Sequence, residues 1–144
     1  MTGSAITALV GLTLLFRKVI VPVHEALHYG VGLFLNLNPD FGYEEGRFFK
    51  NPRVVAISTD IPVWKNLLML ITPFVVIGLL SWGMILISSG LLAGIAAVVL
   101  WVNSAASAQD IYHYFRLLRM DPQARFANFE RGDEIRTEYV LPEQ

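Results

Sequence analysis

The chain has 144 residues, which fits a single domain, and its net charge of −1 gives no basic field suited to nucleic acid. Hydrophobic residues make up 54% and charged residues only 16%, below the roughly 25% charged residues of soluble domains, so a bilayer is the favoured environment. The absence of cysteine excludes disulfides and thiolate zinc sites, which leaves His, Asp and Glu as metal ligands.

The first long apolar stretch covers residues 4–37 and is interrupted by Arg17, Lys18 and Pro22. A membrane-spanning helix needs about 20 apolar residues, and residues 19–37 meet this requirement. The basic pair is expected to lie at a membrane surface, and the proline to kink the helix. The residues before the basic pair either lie on that surface or extend the helix.

A polar segment, residues 39–65, follows the first predicted span. It contains two β-prone runs, residues 41–49 and 54–59. The Lys-Asn-Pro-Arg sequence at residues 50–53 separates them and is typical of a turn. The segment therefore predicts a small β-hairpin at the membrane surface.

Two further apolar stretches, residues 66–88 and 91–115, are each long enough to cross a bilayer, and a Ser-Ser-Gly turn separates them. Small residues are concentrated in the second half of the third span, where they let helix backbones approach closely in lipid. Residues 121–144 are polar and charged, with a strand expected at residues 135–141.

The sequence thus predicts a mainly α, integral membrane protein with three transmembrane helices, a β-hairpin between the first and second, and a polar C-terminal tail. Residues 1–120 form one membrane-embedded domain, and residues 121–144 form the tail. The loop at 39–65 and the third-span end with its tail carry nine of the eleven basic residues. By the positive-inside rule, loop and tail are both cytoplasmic in a multi-pass cell membrane protein.

The most informative motif is His24-Glu25-Ala26-Leu27-His28, an HExxH sequence inside the first predicted span. Residues four apart share a helix face, so the two imidazoles can bind one metal ion with Glu25 beside them. Zinc held this way lowers the pKa of a bound water to about 7. Glu25 then accepts the water's proton as general base and later donates it to the leaving amine. The histidines must be neutral to bind the metal, so activity is expected to fall in acid.

A catalytic zinc needs a third protein ligand and one open position. Asp110 is the preferred third ligand, because Asp110 and His28 both lie roughly 12–14 Å from the ends of their helices at about 1.5 Å per residue. His113, one turn after Asp110, is the rival, either as the ligand or as a hydrogen-bond partner of one. Asp60 in the loop is a weaker candidate, since a turn before a proline explains it as well.

Other features bear on the substrate. Asn103 and Ser107 share a face with Asp110 and are expected to hydrogen-bond substrate, with helix–helix contact as the alternative. The hairpin either holds an unwound substrate by adding it as a strand or covers the site as a surface loop. The expected partners are a membrane protein or peptide substrate and the lipid bilayer, with no nucleic acid, and the sequence predicts no oligomeric state.

The HExxH motif at residues 24–28, the Thr72-Pro73-Phe74 step in the second span and the small-residue run ending in Asp110 resemble the integral-membrane zincin peptidase family. That family is similar to a compact site-2 protease core, an intramembrane zinc metalloprotease. The resemblance covers residues 19–118. It implies that the two motif histidines and Asp110 bind zinc and that Glu25 is the catalytic acid/base.

The run from Asn103 to Asp110 departs from the site-2 pattern Asn-x-x-Pro-x-Pro-x-x-Asp-Gly, because it lacks proline and isoleucine follows the aspartate. The details of substrate binding therefore do not carry over. One alternative is a catalytically inactive metal-binding membrane scaffold or chaperone, with a closed site that uses both Asp110 and His113. Another is an ion or proton pathway through Arg17, Glu25 and Asp110.

Overall fold

The computed structural model describes residues 7, 11, 14, 16–45, 50–58, 60–131 and 134–140. A π-helical turn at Phe16–Ile20 precedes the helices α1 (Val21–Phe34), α2 (Val63–Ile87), α3 (Gly90–Ala106) and α4 (Ala108–Leu117). The strands are β1 (Pro39–Glu45), β2 (Lys50–Ala56), β3 (Ile61–Pro62), β4 (Arg125–Arg131) and β5 (Glu134–Val140). The predicted mainly α fold is confirmed, and the strands form small antiparallel pairs, one of which is the predicted hairpin.

Helix α1 has a proline in its first turn and a left-handed cap at its end. Pro22 lies in the first turn of α1, directly after the π-helical turn, so the regular α-helix begins at the proline, and the predicted kink stays a prediction. At the other end, Asn36 has a φ of 54°, and the Leu37 N–H donates to the Gly32 carbonyl at 2.9 Å. This is the bonding pattern of a Schellman cap, and it confirms the predicted helix end near Asn36.

Strands β1 and β2 pair in antiparallel fashion along their full lengths, and both pack against α1. The hairpin is present, but the predicted turn at residues 50–53 is wrong, since these residues form the first half of β2. Proline suggested a turn, yet both strands of a two-stranded sheet are edges, and edges tolerate proline. Residues 46–49 and 59, which were predicted as strand, lie outside the described residues.

The second sheet has the order β3-β4-β5, with antiparallel pairing throughout. Strand β5 agrees with the strand predicted at residues 135–141, although residue 141 lies outside the described residues. Strand β4 was not predicted. The division of the chain at residue 120 stays a prediction, but Ala124 and Phe126 pack in the main hydrophobic core.

The hydrophobic core lies where the helix ends meet the two sheets. Its buried residues are Leu35, Leu37, Ala56, Ile61, Val63, Met69, Leu117, Ala124 and Phe126. Full burial of a side chain such as Met or Phe contributes about 1.5–3 kcal/mol. The core therefore fixes the start of α2, the end of α4 and the end of β2 relative to α1.

Helices α3 and α4 meet at a bend of 50° around Ser107, so the continuous third helix predicted at residues 91–115 is wrong. The Ser104 hydroxyl donates to the Leu100 carbonyl at 2.8 Å. Such a bond from a serine to the carbonyl four residues earlier often bends a helix. The tight turn predicted between α2 and α3 is confirmed, and Gly90 adopts a φ of 60° there.

Among the described residues, α2 is the one helix that is long and apolar enough on its own to cross a bilayer. The bent pair α3–α4 provides a second span if the two helices cross together. Helix α1 has 14 residues, fewer than the about 20 that a perpendicular span requires.

Candidate metal centre

The buried face of α1 carries both motif histidines. His24, His28 and Gly32 are its buried residues, and their spacing of four places them in one stripe along the helix. The Nε2 atoms of the two imidazoles lie 3.1 Å apart. The shared face predicted from the HExxH spacing is therefore present.

His28 is oriented by a backbone group of α2. Its Nδ1 lies 2.8 Å from the Met69 carbonyl oxygen. Because a carbonyl can only accept, Nδ1 is the donor and Nε2 of the neutral ring presents a lone pair. Met69 belongs to the hydrophobic core, so core packing fixes the orientation of the imidazole.

His24 is oriented by Asn103 of α3, which is fully buried. The Asn103 amide nitrogen donates to the Phe74 carbonyl at 3.4 Å, so the amide oxygen faces His24 Nδ1, also at 3.4 Å. His24 Nδ1 is therefore a donor as well, and its Nε2 also presents a lone pair. Both Nε2 atoms thus face each other as potential metal ligands.

Replacing Asn103 by alanine is expected to weaken zinc binding by about 10-fold or more, because it removes the group that orients His24. Competition titration against a chromophoric chelator measures this change. Ser104→Ala, one residue along α3, is the control, since Ser104 is exposed and donates to its own helix. Equal loss of affinity in both variants would contradict the orienting role of Asn103.

Asp110 reaches the imidazoles from the first turn of α4, just beyond the bend. Its Oδ2 lies 2.9 Å from His24 Nε2 and 3.5 Å from His28 Nε2. Together with the 3.1 Å between the two nitrogens, these distances define a triangle of three atoms that could each donate a lone pair to a metal, here called the donor triangle. Zinc bonds of 2.0–2.2 Å in tetrahedral geometry separate ligands by roughly 3.3–3.6 Å, so the triangle approximates one face of a zinc tetrahedron.

The charges of the triangle also fit a cation. Three atoms with lone pairs face one another, and this arrangement is repulsive unless a cation or a proton lies among them. Two neutral imidazoles and one carboxylate are the nitrogen and oxygen donors that suit zinc. The residues present therefore fit a divalent zinc ion with one further coordination position.

A family model described as "Putative zincin peptidase" matches residues 18–125, which is 108 of the 144 residues and includes all of these donors. The chain belongs to this zincin peptidase family. No curated protein and no solved structure matches the chain. Membership and the His-Glu-His group together support a zinc peptidase site at the HExxH motif.

The glutamate of the zincin motif lies beside the donor triangle. One of its carboxylate oxygens lies within 4.8 Å of a ring nitrogen of His24 and of a ring nitrogen of His28. Its Oε2 accepts the Val54 N–H of β2 at 2.9 Å. Two carboxylates thus approach the rings, but Asp110 comes closer, whereas Glu25 is bonded to the hairpin.

His113, the rival third ligand of this zincin, lines the same cavity as the donors. Its ring packs edge-on against Tyr112, with 5.4 Å between the ring centroids, and no described contact joins it to the donor triangle. Asp60 is exposed and lies 3.4 Å from the Arg125 guanidinium. The structure therefore brings Asp110 to the imidazoles, and a ligand role for His113 stays a prediction.

A cavity of about 1110 Å³ opens beside the donor triangle, with walls from the π-helical turn, helices α1 to α4, and strands β2 and β4. Asn103 and Ser107 are fully buried and, among the described residues, do not line it. Asn103 instead contacts His24, and the Ser107 hydroxyl has no hydrogen-bond partner in the described part of the chain. Their substrate-binding role stays a prediction.

Proposed function

We propose that the protein is a zinc-dependent intramembrane peptidase that hydrolyses a peptide bond in a membrane protein or membrane peptide. One observation carries the proposal. One atom each from His24, His28 and Asp110 lies 2.9–3.5 Å from the other two, although Asp110 is 86 positions from His24 in sequence, and the Glu25 carboxylate lies beside them. A metal site requires ligands from distant parts of the sequence to meet at one point. Two histidines that only pack within a helix would not need a distant carboxylate beside them.

In this proposal, His24, His28 and Asp110 would hold a zinc ion at the edge of the cavity that all three residues line. A zinc ion held there would lower the pKa of a coordinated water to about 7 and would polarise the scissile carbonyl. Glu25 takes the proton of the attacking water and later donates it to the leaving amine. Asn103 keeps His24 in the tautomer that presents Nε2 to the metal.

The distribution of exposed residues supports a membrane location. On α1 the buried stripe contains two histidines, while Val23, Leu33 and Phe34 are exposed, which reverses the pattern of a soluble helix. In α2 only 17% of the most apolar window is buried, whereas the core helix of a soluble protein is mostly buried. Large exposed apolar side chains continue along α2 and α3: Leu79, Leu80, Trp82, Leu86, Ile87, Leu91, Leu92 and Trp101.

The proposed architecture has three spans, namely the π-helical turn with α1, then α2, then the bent pair α3–α4. The turn and α1 together cover residues 16–34, roughly 28 Å of helix against a hydrocarbon core of about 30 Å. The pairing of β3 with β4 supports this topology, because it holds the loop and the tail on the same side of the membrane. The excess of basic residues makes that side cytoplasmic.

The absence of native cysteine permits a direct topology test. Single cysteines replace Ser89, in the turn between α2 and α3, or Gln123, which is exposed before β4. A membrane-impermeant maleimide is expected to label Ser89→Cys in intact cells and Gln123→Cys only after permeabilisation. Labelling of both cysteines from one side would contradict the crossing of α2 and of α3–α4.

The second candidate function is a metal-binding membrane scaffold or chaperone without catalysis. The position of His113 on the wall of the same cavity favours it, because a fourth protein ligand would close the site. The ion pathway through Arg17, Glu25 and Asp110 stays a prediction, and the side chain of Arg17 lies outside what the structure describes.

Zinc analysis of the purified protein, combined with cleavage of a panel of labelled single-span peptides in liposomes, tests these functions. The peptidase is expected to contain one zinc per chain and to cleave a peptide until a zinc chelator is added. Tightly bound zinc without cleavage supports the scaffold. Ion flux that persists with the chelator present supports the pathway.

A further inference from the structure

We propose that the β1–β2 hairpin positions the catalytic base, and that the Val54 N–H is the group that holds Glu25. The inference rests on the proposed function, because that function makes Glu25 the base. Val54 is a positioning residue in this account, and it acts through its backbone.

The backbone of β2 alternates between its two edges. Just beyond the strand, the Ile57 N–H donates to the Asn38 carbonyl at 3.0 Å, so the odd-numbered residues face β1. The even-numbered residues face away from β1. Accordingly, the Ala56 carbonyl accepts a hydrogen bond from the Asn128 side chain at 2.9 Å. Val54 therefore also presents its N–H on the outer edge.

On that outer edge, the Val54 N–H donates to Glu25 Oε2 at 2.9 Å. Pro52, two residues earlier on the same edge, has no N–H to donate. Val54 thus supplies a backbone hydrogen bond that links β2 to the HExxH helix. A donor paired with a carboxylate makes one of the stronger hydrogen bonds in proteins, so the contact can fix the side chain.

The orientation of Glu25 matters because a glutamate side chain has three rotatable bonds. Ordering it before the reaction removes an entropic cost from the catalytic step. The bond to Val54 engages one carboxylate oxygen and leaves the other for the proton of the attacking water. The hairpin is itself fixed by its strand pairing and by the packing of Ala56 in the core.

The same contact limits how β2 receives substrate. A peptide added as a strand on the outer edge would compete with Glu25 for the Val54 N–H. In this account the N–H serves the base, and an extended substrate takes its hydrogen bonds elsewhere on the cavity wall.

Residue-resolved amide hydrogen exchange, measured on the metal-free protein in detergent, tests the contact without substrate or zinc. We expect the Val54 amide to exchange about 10-fold faster or more in Glu25→Ala than in the wild type. The Val55 amide, which pairs with Asp40 inside the hairpin, is the internal control and should not change. Glu25→Gln keeps an acceptor oxygen and is expected to retain protection.

Equal exchange of the Val54 amide in wild type and Glu25→Ala would overturn the proposal. Faster exchange at both Val54 and Val55 would also overturn it, because the loss would then reflect opening of the whole hairpin. Both outcomes are independent of catalysis.

A backbone ester then separates positioning from general stability. Incorporation of α-hydroxyvaline at position 54 removes only that N–H, and the same change at position 55 removes a donor that faces β1. On a single-span peptide that the wild type cleaves, the position-54 ester is expected to lower kcat by about 10-fold or more with KM and zinc content unchanged.

The position-55 ester is expected to retain the wild-type kcat, and an equal loss in both esters would overturn the positioning role. If the wild type cleaves no peptide, the proposed function fails, and the exchange result alone decides whether the hairpin holds Glu25.

Discussion

Glu25→Gln is expected to abolish peptide cleavage and leave zinc bound. Glutamine keeps the shape of the side chain and an oxygen that can accept the Val54 N–H, but it cannot take a proton from water. General bases contribute about 10²–10⁴-fold to rate, so kcat/KM should fall by at least about 100-fold. Steady-state cleavage of a single-span peptide, with zinc content by mass spectrometry on the same samples, measures both expectations.

The matched control for this variant is Asp40→Asn on β1. It makes the same change from carboxylate to amide on an exposed residue of the hairpin that does not line the cavity in the described structure. Its kcat/KM should remain at the wild-type value. Cleavage by Glu25→Gln at wild-type rates would show that a different group takes the proton.

Asp110→Ala is expected to cause the largest loss of zinc affinity of any single substitution outside the motif. It removes one of three donors and leaves two neutral imidazoles with no carboxylate to balance the charge of the ion. Loss of an outer partner of a ligand costs about 10–100-fold in affinity, so loss of the ligand itself should exceed about 100-fold. Competition titration with a zinc chelator gives the value.

His113→Ala is the natural comparison, because His113 lines the same cavity one turn further along α4. The account predicts that its zinc affinity stays near that of the wild type. The reverse result, with a large loss in His113→Ala and a small one in Asp110→Ala, would make His113 the third ligand. Comparable large losses in both variants would support the closed site of a scaffold.

The part of the site that could be predicted from sequence follows from helix geometry. The spacing of His24 and His28 places both rings on one face of any α-helix, and the structure has them 3.1 Å apart. Asp110 is the preferred third ligand in the sequence analysis, because the rise per residue of a helix places it and His28 at similar distances from the ends of their helices. It lies 2.9 Å from His24 although the bend at Ser107 was not predicted.

The groups that orient the site were not predicted, because most of them are backbone atoms. The Met69 carbonyl and the Val54 N–H act at positions where the side chain gives no signal, and only tertiary packing brings them to His28 and Glu25. The sequence did single out Asn103, because it shares a helix face with Asp110. In the structure its amide oxygen faces His24, and its contact with substrate stays a prediction.

The hairpin shows a different limit of sequence reasoning. The Lys-Asn-Pro-Arg sequence at residues 50–53 has the composition of a turn, yet it pairs within β2. The preference of these residues for a turn was overridden by their pairing with β1, and composition does not specify which segment a strand pairs with. Strand β4 was missed for a similar reason, since its formation depends on the pairing with β3 and β5.

X-ray absorption at the zinc K edge of the purified, zinc-loaded protein tests the central claim most directly. We expect two imidazole nitrogens at about 2.0–2.1 Å and oxygen ligands at about 2.0–2.2 Å, with a changed oxygen shell in Asp110→Ala. A spectrum with three imidazoles that is identical in Asp110→Ala would contradict the proposed ligand set of His24, His28 and Asp110.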